Sequence, residues 1–439
     1  MAHVVVVGAG FGGLSAAVSL RDRGHTVRVF EARDRVGGRV HTLRDFIPGR
    51  HVEAGGELIG RIHHTWLGYA RRFGLGLSVI TDEAAHEGMG LREPLLLRGR
   101  SLGDEEEAAL WEGVEAVEAR LSAAARAAVP DPERPWAAPE AARLDGETVS
   151  DWLDGACETP LVRHWMAVHL ESEFGVPAAR MSLLGLLAQI AGDPEEYWTD
   201  YESFRCADGN QALADALAAT LGAALSLSAP VSAIALSGSG ATVTAGGHTE
   251  QADAVVLAVP PSVWDQIDIQ PGLPAGYRPQ MGLAMKYLAR VSRRLWIRHG
   301  LAPSGYSEDI GSLWESTDQQ GGPDRIGLTV FAGGALAEQG LSAPDPAARF
   351  RAGLAAVFPD FAEHDEGGRL CPWPTEPWTR GGYSTPAPGE VTGALRLLNT
   401  APWQGRLVFA GEHTDPRFYG FMEGALRSGV RAAEQVTQL

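Results

Sequence analysis

Short apolar runs bounded by glycine alternate along the chain with longer stretches of helical spacing, and the clearest of both stand at the start. His3 to Val7 is a strand-length apolar run followed by a glycine-rich turn, and Leu14 to Arg23 repeats its apolar positions at helical intervals. Thr26 to Glu31 alternates and ends on an acid, so the opening predicts one βαβ unit of the length a dinucleotide-binding fold needs. Val52 to Ile59 is a second glycine-interrupted segment, and a helix is expected from His63 to Phe73.

Beyond it, Asp104 to Ala128 is Ala/Glu-rich and predicts a long helix, which the proline-rich stretch Pro130 to Pro139 ends. Helical spacing returns at Thr148 to Leu153, Pro160 to Leu170, Ser182 to Ala191 and Asn210 to Leu221, the third followed by an aromatic cluster of Tyr197, Trp198, Tyr201 and Phe204. Strands are expected at Ser226 to Ile234, Ala241 to Ala245 and Ala254 to Val259, then through Lys286 and from Ile326 to Phe331. A helix over Pro346 to Phe358, a loop over Trp378 to Pro388, a strand over Arg406 to Ala410 and a helix over Phe421 to Val436 complete the pattern. It contains no internal repeat.

A chain of 439 residues is too long for one ordinary core, so two packed domains are expected. A hydrophobic share of 45% and a charged share of 21% fit a folded globular enzyme. The longest apolar stretches are strand-length, so no membrane span is expected, and the opening strand leaves no pattern of a secretory leader. Cys157, Cys206 and Cys371 are widely spaced and form no metal-ligand pattern, which points to a reducing cytoplasm and no metal site. The net charge of -18 argues against nucleic acid or an anionic membrane as partner and mildly favours cationic amines. Among 36 arginines stands a single lysine, Lys286, and a lysine retained under such a bias invites a functional reading.

Gly8, Gly10 and Gly13 stand in GxGxxG register between the first strand and helix. The first permits the tight turn, the second lets the backbone approach a pyrophosphate, and the third allows close helix packing. Glu31, at the end of the second strand, is placed to accept ribose hydroxyls. These residues do not choose between FAD and NAD.

EARDRVGGRVHT, Glu31 to Thr42, does choose, because a second Gly-Gly-Arg turn follows the acid at once. It resembles the FAD-binding signature of the flavin amine oxidase superfamily, monoamine oxidases included. HVEAGGELIG from His51, AVVLAVPPSV from Ala254, and LVFAGEHT with GFMEGALRSG from Leu407 match the same superfamily in the same order. The resemblance implies non-covalent FAD, because Gly382 stands where covalent members carry the tethering cysteine. It places Arg33, Gly38 and Arg39 at the cofactor phosphates or flavin edge, and Gly55, Gly56, Glu57 and Leu58 under the ring. Val231 would grip adenine, Trp378 would pack near the flavin, and Gly411 and Glu412 would hold the ribityl or pyrophosphate region. Met422 opens a helix whose dipole would stabilise negative charge on the reduced ring.

The same resemblance assigns Lys286 to a lysine that holds a water near flavin N5, and Tyr383 and Phe421 to two aromatic walls flanking the substrate amine. Leu58 stands where amino-acid oxidases carry a carboxylate-binding arginine, and Gly60 where polyamine oxidases often carry an acid or histidine, so neither preference is supported. Glu57 is unusual in that turn. Buried there, it reads either as an acid–base or ammonium-binding group with a raised pKa or as a carboxylate paired with a nearby arginine. Glu171, Glu173 and the Tyr197 to Phe204 cluster are expected at the entrance, roofed by the Asp104 to Ala128 helix.

The expected fold is α/β: a Rossmann-like FAD-binding domain from residues 1–80, 205–285 and 400–439, and a mixed α+β substrate domain from 81–204 and 286–399. The expected reaction oxidises a C–N bond of a small-molecule amine or amide by hydride transfer to FAD, with O2 as acceptor and H2O2 as product. Rival readings are a natural-product amine or amide oxidase with cyclisation, a flavin desaturase of the same fold, and a flavin-binding protein without turnover. A homodimer stays open.

Overall fold

The computed structural model describes residues 1–199 and 201–438. A five-stranded sheet runs in the order Leu407–Phe409, Ala254–Leu257, His3–Val7, Thr26–Phe30, Leu225–Ser226, and every pairing is parallel. Four consecutive valines make His3–Val7 a central strand, since a parallel sheet covered on both faces wants apolar side chains on both. Helices Phe11–Asp22 and Met422–Thr437 pack together on one face, and there Gly429 comes so close to Gly12 and Ser15 that no side chain would fit. This is a Rossmann-like layer closed by the last helix of the chain.

The turn after His3–Val7 shows why its glycines are glycines. Gly8 has φ +100°, and a Cβ on Gly13 would lie 1.9 Å from the Gly8 carbonyl oxygen. The helix therefore starts tight against the strand with its N-terminus open, because Gly10 offers no capping side chain and the first turn holds no acid.

A second sheet, ordered His248–Ala252, Gly240–Ala245, Val231–Ser237, Asp268–Gln270, stands beside the first. The single strand expected over Ser226 to Ile234 is two. Leu225–Ser226 ends in the parallel sheet, and Pro230 lies in the break before Val231–Ser237 enters the second sheet. His248–Ala252, with no apolar alternation, was not expected. It is paired through the Gly246–Gly247 turn, whose two positive φ values suit a tight hairpin.

The third sheet has seven strands around the long antiparallel pair Ala284–Arg293 and Asp324–Gly333, with Asp365–Pro372 on one side and Gly311–Glu315 and Gly305–Ser307 on the other. Against it stands a helical layer. Asp104–Ala128 buries Leu110, Val114, Val117 and Leu121 at helical spacing against Leu183–Gly192 and Pro160–Phe174. Among the described residues no helix is long and apolar enough to cross a membrane.

Candidate active site

Two cavities meet at the edge of the parallel sheet. The narrower, of about 180 Å³, starts at the open helix N-terminus. Gly8, Gly10, Glu31, Arg33, Gly38, Val231, Trp378 and Gly411 line it. The wider, of about 1130 Å³, is lined by Gly55, Glu57, Leu58 and Lys286 among others. Arg39, Gly56, Tyr383, Gly420, Phe421 and Met422 border both. The cofactor and catalytic residues picked out hundreds of positions apart therefore line one continuous space, except Gly13, which lines neither cavity and serves the close packing of the turn.

The narrow cavity has the chemistry of an anion cradle. Glu31 accepts the Ala9 N–H at 2.7 Å and the Arg33 N–H at 2.9 Å, which fixes its carboxylate at the strand end. The uncapped first turn of Phe11–Asp22 points its free N–H groups and positive dipole end into the same space, with Arg33 and Arg39 beside it. None of the three cysteines lines either cavity. These residues fit an FAD held without a covalent bond.

Glu412 organises the junction. Its buried carboxylate takes Arg39 at 2.8 Å, the Ser384 hydroxyl at 2.7 Å and the Gly420 N–H at 2.7 Å. Burial pushes its pKa up, but the Arg39 charge with these hydrogen bonds outweighs that and holds it below the ordinary carboxylate value. Arg39 also donates to the Gly382 carbonyl at 2.7 Å. A side chain on Gly382 would run into Ala284 at 2.9 Å, so this position has no room for a cysteine without movement.

Two aromatic residues stand where the cavities meet. The Tyr383 hydroxyl donates to the Glu173 carbonyl, which fixes the ring's orientation. The Phe421 ring is held edge-on by Tyr201 at 4.7 Å and tilted by His63 at 5.7 Å. His63 was not singled out in the sequence. Burial depresses its pKa to about 3, so it is a neutral packing partner for Phe421.

Of the two readings left open for Glu57, the structure agrees with the carboxylate paired with an arginine, Arg205, and not with the raised pKa. Glu57 is buried, as expected, yet its pKa is lowered and not raised. Burial pushes the carboxyl up, but Lys286 at 2.7 Å and Arg205 at 2.8 Å more than reverse the effect. Trp314 Nε1 adds a third donor at 2.8 Å. An ionised, fully engaged carboxylate of this kind does not serve as a proton-loaded acid. Arg205 and Trp314 carried no sequence signal of this role, since they lie far along the chain on other elements.

The entrance differs in part from expectation. Glu173, Tyr197, Trp198 and Tyr201 line the wide cavity, and the start of Asp104–Ala128 reaches it through Asp104, Glu107 and Trp111. Glu171 turns away and accepts the Ala335 N–H at 2.8 Å at the head of the Gly334–Ser342 helix. Phe204 instead lies in a short strand, beneath the Arg61 guanidinium. Two further residues were not foreseen. Trp373 packs on Gly55 and donates to the Ala54 carbonyl at 2.8 Å, bracing the turn that carries Glu57. Glu202 is exposed to the water of the wide cavity, and the protein walls around it, then the nearby Glu173 and Glu57 carboxylates, push its pKa up to about 8.

The wide cavity is acidic. Glu57, Glu83, Glu87, Glu93, Asp104, Glu107, Glu173, Glu202, Glu315 and Asp318 line it against Arg39, Arg92, Arg205 and Lys286. Such a cleft concentrates cations.

Comparison with known proteins places this geometry. Residues 11–437 match the family profile described as flavin containing amine oxidoreductase. A putative flavin-containing monoamine oxidase, AofH, of Mycobacterium tuberculosis is 30% identical, over 99% of this chain and 96% of its own length. A putrescine oxidase of Kocuria rosea is 29% identical over 99% of this chain and 94% of its own. An L-amino acid dehydrogenase of Synechocystis is 28% identical over 99% and 94%. Among solved structures, a putrescine oxidase with putrescine bound superposes with a TM-score of 0.87 at 26% identity, covering 100% of this chain and 99% of that one.

Proposed function

The chain belongs to the flavin-containing amine oxidoreductases and is an FAD-dependent amine oxidase, and from that premise we propose that it oxidises the C–N bond of a cationic small-molecule amine to an imine. The observation that carries the substrate reading is the acid-lined wide cavity, which meets the narrow one at Tyr383 and Phe421.

FAD, when bound, would supply the two-electron acceptor for a hydride equivalent from the carbon beside the nitrogen, with O2 as final acceptor and H2O2 as product. Gly8, Gly10, Glu31, Arg33, Gly38, Arg39, Val231, Gly411 and Glu412 would hold it along the narrow cavity, with Trp378 beside them. Gly55, Gly56, Leu58 and Met422 would border its reactive end. Tyr383 and Phe421, each pinned by its own neighbours, form walls that exclude water and align the amine nitrogen. Lys286 contributes a positive charge to the same space, which favours an electron-rich partner. We assign residues 1–80, 205–285 and 400–439 to the cofactor domain and 81–204 with 286–399 to the substrate domain.

Glu173 and Glu202 are the carboxylates we assign to the arriving ammonium. Glu202 with its pKa raised to about 8 is largely protonated at neutral pH and gains its charge as pH rises toward that value. An ammonium binds the ionised form, so kcat/KM for a cationic amine is expected to climb with pH up to about 8. The same shift has a stability cost. Relative to the ordinary value of 4.5, the folded chain holds a proton that the unfolded chain releases, so stability falls as pH rises through that window. Replacing Glu202 with Gln should flatten the rising limb of kcat/KM while leaving the amine's own ionisation in place. Steady-state pH profiles of the two proteins test this, and superimposable profiles would remove Glu202 from substrate binding.

A further inference from the structure

Leu183–Gly192 is an apolar helix whose one polar side chain, Gln189, is 1% exposed. A primary amide buried among leucines costs free energy unless its donors and its acceptor are engaged, so its partners indicate what it is there to hold. Gln189 Nε2 donates to the Tyr419 carbonyl at 2.8 Å, and Gln189 Oε1 accepts the Tyr197 hydroxyl at 3.3 Å.

The Tyr419 carbonyl and the Gly420 N–H belong to one peptide unit, and that N–H donates to Glu412 at 2.7 Å. The peptide is therefore gripped at both polar ends, by an amide from the helical layer and by a carboxylate just beyond the Leu407–Phe409 strand of the parallel sheet. Gly420 has φ +84°, and a Cβ there would lie 3.3 Å from the Tyr383 ring. The next residue is Phe421. Its ring meets Tyr201 edge-on at 4.7 Å, and Tyr201 meets Tyr197 at 4.5 Å. These contacts close a circuit from Gln189 through the Tyr419–Gly420 peptide, Phe421, Tyr201 and Tyr197 back to Gln189.

We infer that Gln189 is a positioning residue for the aromatic slot: by fixing the Tyr419–Gly420 peptide it sets the Phe421 wall against Tyr383, a role that rests on the amine oxidase reading of those two rings. Ring packing alone leaves the wall free to slide, whereas a hydrogen bond weakens steeply as its angle opens and so holds a direction. Without Gln189 the peptide is held on the Glu412 side alone. A glycine at its C-terminal side then lets it rotate, because no side chain restricts φ there.

Gln189→Met keeps the length of the side chain in an apolar helix and removes both hydrogen bonds. FAD absorbance is expected to be retained, while the limiting rate of anaerobic flavin reduction by an amine falls roughly 10- to 100-fold, as an ångström-scale misplacement of a reacting group causes. Reoxidation of the reduced flavin by O2 needs no aligned amine and should keep its wild-type rate. Crystal structures of the two proteins should show Phe421 displaced by roughly 1 Å. Should Gln189→Met not fold, Tyr197→Phe deletes one hydroxyl, frees the amide to turn away from Tyr419, and should slow reduction in the same way by a smaller factor. Unchanged reduction in the variant that folds would overturn the inference. So would reduction, reoxidation and FAD content falling together, since a merely structural role moves all three. Failure of the amine oxidase reading looks different, because the wild type itself is then reduced by no amine. In that case the crystal structures decide alone: a displaced Phe421 supports the positioning role and an unmoved one overturns it.

Discussion

Glu412→Ala is expected to yield a colourless, destabilised protein. The substitution removes a buried carboxylate that takes Arg39, Ser384 and Gly420 at 2.7 to 2.8 Å, and it leaves the Arg39 guanidinium at the cavity junction with only the Gly382 carbonyl. Breaking one side of a buried ion pair costs about 3–5 kcal/mol, because the remaining charge is stranded. The cost falls where the two cavities meet, so cofactor retention and fold stability should drop together. The ratio of flavin to protein absorbance after purification, with thermal unfolding of the same sample, measures both. Glu412→Gln keeps the shape and two neutral hydrogen bonds and should show a smaller loss. A yellow Glu412→Ala protein of unchanged Tm would remove Glu412 from the cradle.

Lys286→Met should behave in the opposite way, keeping its colour and losing its rate. Methionine fills nearly the same volume in a strand whose inward positions are apolar, so folding and FAD binding are expected to survive. What disappears is the positive charge, with Glu57 left to Arg205 and Trp314. Loss of one preorganised electrostatic partner at a reacting centre costs about 10²–10³-fold in rate. Stopped-flow measurement of flavin reduction by amine and of reoxidation by O2 would locate the loss. Near-normal rates in both half-reactions would remove Lys286 from the chemistry.

How much of this was legible beforehand follows from the range over which each feature is encoded. The His3–Val7 strand, its glycine turn and the Asp104–Ala128 helix were readable because their apolar periodicity and turn chemistry lie within a few residues of one another. His248–Ala252 was not, because its pairing comes from a glycine hairpin and a neighbouring strand and not from its own side chains. In the site, Lys286, Tyr383, Phe421 and Glu412 could be picked out through motifs, and they do line the joined cavities.

The environment of Glu57 could not be read in the same way. Its pKa depends on a contest between burial, which raises it, and the partners Arg205 and Lys286, 148 and 229 residues away, which lower it. No local pattern announces that Arg205, Lys286 and Trp314 converge on one carboxylate. Glu202 shows the converse. Its aromatic neighbours marked the segment as part of the entrance, but nothing marked Glu202 itself, whose pKa of about 8 comes from the cavity walls and the facing Glu173. Titration behaviour is a property of the assembled cavity, so it emerges only when the elements are packed.

Anaerobic titration of the purified, FAD-loaded chain with a panel of cationic amines tests the central claim most directly. The joined cavities predict that at least one such amine bleaches the flavin absorbance near stoichiometry, and that admitting O2 restores the colour with release of H2O2. A correctly folded sample that takes up no FAD, or whose flavin stays oxidised with every cationic amine yet is bleached by a neutral or anionic donor, would contradict it.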